Sequence, residues 1–326
     1  MHILATTAID PIFHEKLTSL YPIVTAEKDD RETLCNLMPG TICIISRGLA
    51  DIDGAIMDAG NELCIIARTG AGYENLDINA ATQRGIPVLY APLLGPAVAE
   101  ATFALILALT KRLFYWHESL ITGQWDRRIT ERTDELLDKT IGIIGLGRIG
   151  REVAKHAGSF GMHILAYDPY VSADSAGEVS AELVDLQDLL SRSDIISVHA
   201  LATSETAGLI NRTNIKKIKR GAYLINFSRG TLIDGLDILY DALQEDRLAG
   251  VGLDVFPEEP PSNIDHPLFK HPKFIGSPHV LASTAGTEAR CSNSVCSDVR
   301  AALRGERPQW CVNPEVFDSP NLRRRG

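Results

Sequence analysis

A glycine turn between an apolar strand and a helix is the feature that most restricts what this chain can fold into. Gly145, Gly147 and Gly150 form the pattern G-x-G-x-x-G. The apolar run from Ile141 to Ile144 precedes the turn, and REVAKHAGSF, with helical spacing, follows it. In such a βα turn the first glycine permits the tight bend, the second lets a pyrophosphate approach, and the third allows close helix–strand packing. The helix N-terminus offers N–H groups to the phosphates.

An acidic residue after the next predicted strand extends this pattern to a specific ligand. Asp168 follows the run HILAY, at about the distance of 20 residues at which such an acid accepts hydrogen bonds from ribose hydroxyls. The carboxylate would repel a 2′-phosphate, and no Arg or Lys in DPYVSADSAG offsets that charge. The stretch therefore predicts an NAD site, with Arg148 and Ile149 among its cofactor-binding residues. The alternative is a tight βα turn without a ligand.

The rest of the chain alternates short apolar runs with helical stretches. MHILATT, TICIIS, LCIIART and IPVLYA are predicted strands, and a second series of six begins at Ile141. This alternation predicts parallel sheets covered by helices. Long helices are expected from about Val98 to Gly123 and from about Thr284 to Arg304. Because 326 residues exceed one ordinary core, we expect two domains. A doubly wound parallel-sheet (Rossmann) NAD domain would span 98–283, and a smaller α/β substrate domain would combine 1–97 with 284–326.

Charge and composition narrow the classes of partner. The formal net charge is -10, whereas nucleic-acid binders have a basic footprint, so no nucleic-acid partner is predicted. The longest apolar run, AVAEATFALILAL, contains Glu100 and is too short to span a bilayer, and the first residues lack the pattern of a secretory signal. The cysteines form no CxxC pair. Reduced thiols in a cytoplasmic protein, without a metal site or a membrane partner, are therefore expected.

Three polar segments follow predicted strands of the second series, where a nicotinamide cofactor would need an acid–base and a cation for an anionic substrate. LINFSRG contains Arg229, and IGSPHV contains His279. Between them, GLDVFPEEP contains Asp254, Glu258 and Glu259. Each segment also has an ordinary explanation, namely a surface turn for the arginine, a solvated turn for the acids and a loop position for the histidine. Their occurrence in order along one predicted sheet favours a catalytic set.

These segments resemble the D-isomer-specific 2-hydroxyacid dehydrogenase family over nearly the whole chain. ARTGAGYENLD resembles the family's substrate-loop motif, and GIIGLGRIG is similar to its cofactor turn. LINFSRGTLID, GVGLDVFPEEP and SPHV resemble its three signature segments, and KRLFYWHESLITGQW resembles the segment that forms its dimer arm. The resemblance implies a flavodoxin-like substrate domain, an NAD cofactor, a small anionic 2-oxo or 2-hydroxy acid as substrate, and a homodimer.

The resemblance also implies chemical roles for the matching residues. Arg229 would bind the substrate carboxylate, which suits its planar guanidinium, and polarise the 2-oxo group. His279 would be the acid–base that removes the hydroxyl proton in oxidation and returns it in reduction. The family's acid corresponds to Glu259 rather than Glu258, and would hold the imidazole and favour its protonated form.

Further positions are implied to bind the cofactor or the substrate. Asp254 would bind the nicotinamide carboxamide and fix which face of the ring meets the substrate. Other cofactor-binding positions are His199, Thr206 and Ser228. The main-chain N–H groups of Ala71 and Gly72 would hold the substrate carboxylate. Arg47, in IISRG, would reach a second anionic group, unless it is only a surface turn residue.

Two departures from the family pattern affect loops near these positions. The segment APLLGPAVAE is one residue shorter than usual and has Gly95 near the position of an asparagine, which leaves the identity of the substrate open. Leu201 stands where proline is usual, and only a local effect on its loop is expected.

The leading prediction is an enzyme that interconverts a D-2-hydroxy acid and its 2-oxo acid with NAD. A formate- or phosphite-type dehydrogenase on the same scaffold is one alternative. Glu259 argues against formate, because formate enzymes of this fold have glutamine there. The other alternative is a corepressor-like binding protein that senses NADH.

Overall fold

The computed structural model describes residues 1–48 and 50–323, and its backbone contacts divide the chain into two compact units. The first unit comprises Met1–Leu94 and Ser283–Gly326, and the second comprises Gly95–Ala282. None of the helices in the described part of the chain has the length and apolar character needed to cross a membrane.

A parallel sheet of five strands forms the centre of the first unit. The strands are β1 His2–Ala5, β2 Ile23–Thr25, β3 Thr41–Ser46, β4 Ile65–Arg68 and β5 Val88–Leu89. The helices are α1 Pro11–Leu17, α2 Arg31–Leu37, α3 Gly54–Asp58, α4 Ile78–Gln83 and, from the last part of the chain, α12 Ala285–Leu303. The strand order is β2-β1-β3-β4-β5, which is the flavodoxin-like doubly wound order. The predicted fold of this part of the chain is confirmed.

Strand β3 shows why this sheet has helices on both faces. All six residues of TICIIS are buried. Ile45 packs in the same cluster as Val295 of α12, whereas Ile44 packs in the opposite cluster with Leu34 of α2. Because successive side chains of a strand point to opposite faces, a continuous apolar run requires cover on each side.

The second unit contains a parallel sheet of seven strands. The strands are β6 Thr140–Ile144, β7 His163–Tyr167, β8 Ala181–Leu183, β9 Ile195–Val198, β10 Ala222–Asn226, β11 Leu248–Leu253 and β12 Phe274–Gly276. The helices are α5 Gly95–Thr110, α6 Leu113–Ile121, α7 Arg127–Thr130, α8 Arg148–Ser159, α9 Ala173–Gly177, α10 Leu186–Arg192 and α11 Asp237–Gln244. The strand order is β12-β11-β10-β9-β6-β7-β8. The order reverses between β6 and β9, where doubly wound sheets bind their ligands.

The helix predicted from Val98 to Gly123 is instead two helices, α5 and α6. Arg112 separates them with a left-handed backbone, φ 50°. The Arg112 guanidinium lies 4.0 Å from the centre of the Tyr115 ring and 2.6 Å from Glu131 Oε2. These contacts with residues further along the chain accompany the break between α5 and α6, and the sequence pattern does not show them.

The sequence predicts four strands in the first unit and six in the second, whereas the sheets have five and seven. The two strands missing from the prediction are β2 and β8. Strand β2 and strand β8 each have three residues and lie at an edge of their sheets. The helix predicted at Thr284 to Arg304 is present as α12, and the Thr284 side chain caps it by accepting a hydrogen bond from Thr287 N.

Candidate active site

The three glycines of the turn after β6 have different surroundings. Gly145 has φ 93°, and an added Cβ would lie 2.5 Å from Ala200 N. An added Cβ at Gly150 would lie 2.1 Å from Gly145 O. At Gly147, by contrast, an added Cβ would meet no heavy atom within 4 Å. The first and third glycines are therefore required for packing, and the second leaves open space against the backbone.

The polar groups around this open space suit a dinucleotide. Helix α8 begins at Arg148, and no side chain caps its N-terminus at Gly147. Its first N–H groups can therefore serve a pyrophosphate. Asp168 Oδ2 accepts a hydrogen bond from Leu146 N at 2.9 Å, which fixes the carboxylate beside the turn. Ile149, the residue after Arg148, is in the same first turn of α8.

His199 lies at the end of β9, next to the backbone that Gly145 approaches. Its Nε2 is 2.7 Å from Ser197 Oγ. Its Nδ1 is buried and has no hydrogen-bond partner among the described residues, although the residue as a whole is partly exposed. Burial lowers the pKa of His199 to about 3, so the ring is neutral at physiological pH. Ser228 donates a short hydrogen bond to the neighbouring Ala200 carbonyl.

The loop after β9 is closed by its own side chains. The Thr206 hydroxyl donates to Leu201 O at 2.6 Å and accepts from Thr203 N at 2.8 Å. Leu201 itself is 81% exposed. The Thr206 hydroxyl therefore holds the two sides of this loop together, and the Leu201 side chain lies in solvent.

His279 and Glu259 are brought together from two different loops. His279 Nδ1 is 2.8 Å from Glu259 Oε2, and the two side chains are 51% and 30% exposed. The second carboxylate oxygen, Oε1, accepts a hydrogen bond from Phe256 N at 3.0 Å. The carboxylate is thus held by the backbone and oriented towards the imidazole. Glu258 is exposed.

Arg229 follows β10 in a loop organised by a buried amide. Asn226 Nδ2 donates to Arg229 O, and Asn226 Oδ1 accepts from Ser228 N, both at 2.9 Å. An added Cβ at Gly230 would lie 1.8 Å from the carbonyl carbon of Phe256. The Arg229 loop therefore lies directly against the segment that leads to Glu259.

The buried Asp254 at the end of β11 contacts the loop that contains His279. Its Oδ1 accepts hydrogen bonds from Ser277 Oγ at 2.6 Å, Val280 N at 3.1 Å and Leu281 N at 3.4 Å. Asp254 is 2% exposed. The carboxylate therefore organises the backbone on both sides of His279.

The predicted substrate residues of the first unit surround Arg68. Its Nε donates to Gly72 O, and its Nη1 donates to Gly48 O, both at 2.9 Å. Arg68 thereby joins the loop containing Ala71 and Gly72 to the loop containing Arg47. The Arg47 guanidinium contacts Glu288 Oε1 at 2.9 Å, so an anion there would compete with this carboxylate.

Comparison with known proteins identifies the family. Residues 103–280 match the family model described as D-isomer specific 2-hydroxyacid dehydrogenase, NAD binding domain. The glyoxylate reductase of Thermofilum pendens is 41% identical over 272 residues, which is 82% of this chain and 79% of that protein. The chain belongs to the D-isomer-specific 2-hydroxyacid dehydrogenase family.

Other relatives differ in length and in name. The D-3-phosphoglycerate dehydrogenase of Mycobacterium leprae is 40% identical over 87% of this chain but only 53% of that protein. The chain thus spans about half the length of several curated relatives it matches. The structure of D-lactate dehydrogenase from Aquifex aeolicus, complexed with NAD and lactic acid, has a TM-score of 0.83 and 29% identity. That similarity covers 94% of this chain and 96% of the other.

The segment from Leu93 to Val98, whose resemblance to the family predicts a shortened loop, is partly helical. Helix α5 begins at Gly95, so four of these six residues lie in its first turn. Gly95 therefore begins a helix. APLLGPAVAE contains no capping residue, so the sequence predicts a helix that starts at about Val98, whereas the helix begins three residues earlier.

Three residues that shape the site were not among the predicted site residues. Asn226 and Gly230 flank the Arg229 loop, and Ser277 donates to Asp254. A buried asparagine directly after the apolar run AYLI was a signal for the first, since a buried amide needs partners. No comparable signal in the sequence indicates the role of the Ser277 hydroxyl, because its partner, Asp254, follows a different strand.

Proposed function

We propose that this chain is an NAD-dependent oxidoreductase that interconverts a D-2-hydroxy acid and its 2-oxo acid. The observation that carries the proposal is the 2.8 Å contact between His279 Nδ1 and Glu259 Oε2, in the unit that also contains the glycine turn. Family membership and the names of the relatives support it. We assign cofactor binding to residues 98–283 and substrate binding to residues 1–97 with 284–326.

The cofactor site is assigned to the turn after β6 and the strand ends beside it. NAD supplies or accepts the hydride when it is bound. The N–H groups at the start of α8 bind its pyrophosphate, and Asp168 accepts hydrogen bonds from its ribose. We assign its remaining contacts to Arg148, Ile149, His199, Thr206, Ser228 and, at the carboxamide, Asp254.

The acid–base role of His279 follows from which of its ring nitrogens faces Glu259. With Nδ1–H donated to Glu259, Nε2 is the ring nitrogen that exchanges a proton with the substrate oxygen. In oxidation the hydroxyl proton moves to Nε2, and the Glu259 carboxylate stabilises the resulting imidazolium. In reduction the proton returns to the oxygen. Arg229 binds the substrate carboxylate through its forked donors and polarises the 2-oxo group.

The substrate class is a small anionic acid. The main-chain N–H groups of Ala71 and Gly72 are assigned to its carboxylate. Arg47 is assigned to a second anionic group, which would have to replace Glu288 as its partner. Relatives are named for 3-phosphoglycerate, glyoxylate and hydroxypyruvate. Of these acids, only 3-phosphoglycerate carries a second anionic group, its phosphate.

We also propose a homodimer in the cytoplasm. Helices α6 and α7, with the segment between them, expose large apolar side chains by 58–68%, which a second copy would cover. These side chains are Leu113, Phe114, Leu120, Ile121, Trp125 and Ile129.

The six cysteines are all free, and burial raises the pKa of the Cys64 thiol to about 11 and that of Cys296 to about 12. Unpaired thiols suit a reducing compartment.

A substrate panel tests the proposal. The purified chain is assayed with glyoxylate, hydroxypyruvate, pyruvate, 3-phosphohydroxypyruvate and longer 2-oxo acids, in both directions, with NAD and NADP. We expect turnover with at least one of these acids and a preference for NAD. Tight NADH binding without turnover of any acid would overturn the proposal, and NADH-dependent capture of a protein partner would then favour the corepressor-like alternative.

A further inference from the structure

We propose that Ser277 is a positioning residue for the reaction. Through the buried carboxylate of Asp254, its hydroxyl holds His279 in a strained backbone conformation that presents the imidazole to Glu259. This inference rests on the proposed function, because it concerns the same acid–base. Ser277 itself is assigned no contact with substrate or cofactor.

The backbone of His279 is strained. Its φ is 51°, in the left-handed region that residues other than glycine rarely adopt. Such a conformation persists only where the surrounding contacts determine it, and it is found preferentially at functional sites. The contacts that hold His279 in this conformation are therefore part of the machinery that orients its ring.

Those contacts converge on one oxygen atom. Asp254 Oδ1 accepts hydrogen bonds from Ser277 Oγ on one side of His279 and from Val280 N and Leu281 N on the other. The loop is also closed locally, because His279 N donates to Ser277 O at 3.0 Å. Ser277 N in turn donates to Leu253 O at 3.0 Å, which anchors the loop to the end of β11.

The Ser277 hydroxyl makes the shortest of the three contacts with Asp254. At 2.6 Å it has the length of a charge-assisted O–H···O⁻ bond, whereas the two N–H donors lie at 3.1 and 3.4 Å. A buried carboxylate that loses its best donor must recruit another or admit water. Either change allows the backbone at His279 to relax and moves Nδ1 away from Glu259.

The experiment compares Ser277→Ala and Ser277→Thr with a matched control, Ser191→Ala. Ser191 is an exposed serine of α10 whose hydroxyl donates only to Asp188 O in its own helix, among the described residues. For each protein we would measure kcat, KM, the NADH dissociation constant, and the isotope effect on kcat when the transferred hydrogen of NADH is deuterium. These measurements separate slower chemistry from loss of folded enzyme.

We expect kcat of Ser277→Ala to fall roughly 10- to 100-fold, as misplaced catalytic groups do, with the number of NADH-binding sites retained and a larger isotope effect. Ser277→Thr, which keeps the hydroxyl, should restore most of the activity, and Ser191→Ala should match wild type. A wild-type kcat in Ser277→Ala overturns the proposal. So does a lower kcat with an unchanged isotope effect and a matching loss of NADH-binding sites, which would mean a purely structural role.

A failure of the proposed function is distinguishable from a failure of this inference. If the wild-type protein turns over no 2-oxo acid, the proposed function is wrong, and crystal structures of wild type and Ser277→Ala then decide the positioning. A left-handed His279 beside Glu259 in wild type but not in the variant supports it. The same His279 conformation in both proteins overturns it.

Discussion

His279 is the residue on which turnover should depend most strongly. Replacing it with alanine removes the group that exchanges the proton, and general acid–base catalysis typically contributes about 10²- to 10⁴-fold. We expect kcat of His279→Ala to fall by that factor while NADH still binds, as measured by fluorescence titration. His163→Ala, at an exposed position at the start of β7, is the control. Loss of NADH binding in His279→Ala would mean that the histidine is structural.

The preference for NAD over NADP should depend on Asp168. Leu146 N donates a hydrogen bond to the Asp168 carboxylate and so holds it beside the glycine turn. There the carboxylate would accept hydrogen bonds from the ribose of NAD and repel the 2′-phosphate of NADP. Because a hydrogen bond to a charged group is worth about 1.5–3 kcal/mol, we expect Asp168→Ala to lower the NAD/NADP ratio of kcat/KM roughly 10- to 100-fold. Asp174→Ala, with an exposed carboxylate in α9, should keep the wild-type ratio. An unchanged ratio in Asp168→Ala would refute this role.

His199 should make stability depend on pH. Burial lowers the pKa of His199 from 6.5 to about 3 in the folded protein. The unfolded chain therefore takes up a proton below pH 6.5 that the folded protein refuses, so this contribution to stability is complete above pH 6.5 and is lost as the pH falls towards 3. Urea unfolding at several pH values should show a smaller pH dependence for His199→Asn, by up to about 1.4 kcal/mol per pH unit. Parallel curves for the two proteins would contradict the prediction.

At the scale of single elements, the turn between β6 and α8 contains one glycine that packing requires, Gly150, and one that faces open space for a ligand, Gly147. An added Cβ at Gly150 would lie 2.1 Å from a backbone oxygen, whereas an added Cβ at Gly147 meets open space. We expect Gly150→Ala to lower the free energy of unfolding by about 1–3 kcal/mol through overpacking. Gly147→Ala should fold normally and bind NADH more weakly. Unfolding and NADH titrations distinguish the two effects.

The control for this pair is Gly158→Ala, within the same helix and also in open space. Alanine is favoured over glycine inside a helix by about 0.5–1 kcal/mol, so this variant should be slightly more stable and bind NADH normally. Wild-type NADH affinity in Gly147→Ala would show that no ligand approaches the second glycine.

For the whole molecule, the apolar surface of α6 predicts the oligomeric state. Ile121 is 68% exposed, and burying such a side chain in an interface is worth about 1.5–3 kcal/mol. We expect light scattering to show a dimer for wild type and a shift towards monomer for Ile121→Glu. Ile264→Glu, at an apolar side chain that is 75% exposed elsewhere, should remain dimeric. A monomeric wild type, or an unaffected Ile121→Glu dimer, would contradict the prediction.

Much of the fold could be predicted from the sequence because its signals are local. The four consecutive apolar residues in TICIIS indicate a strand buried on both faces, and the cap at Thr284 marks the start of α12. The glycine turn was recognisable because a strand, a helix and Asp168 accompany it within a single βαβ unit. The break at Arg112 was not recognisable, because it depends on Tyr115 and Glu131.

The sequence by itself determined the two parallel sheets, the position of the cofactor turn and the types of residue available for chemistry. Only the tertiary structure decided which of these residues meet. The spacing of PEEP leaves Glu258 and Glu259 equivalent, and the resemblance to a family, rather than the spacing, favoured Glu259. The folded chain places Glu259 2.8 Å from His279. The physical reason is that hydrogen bonds between strand-end loops depend on distances between remote segments, which local patterns of hydrophobicity and glycine do not encode.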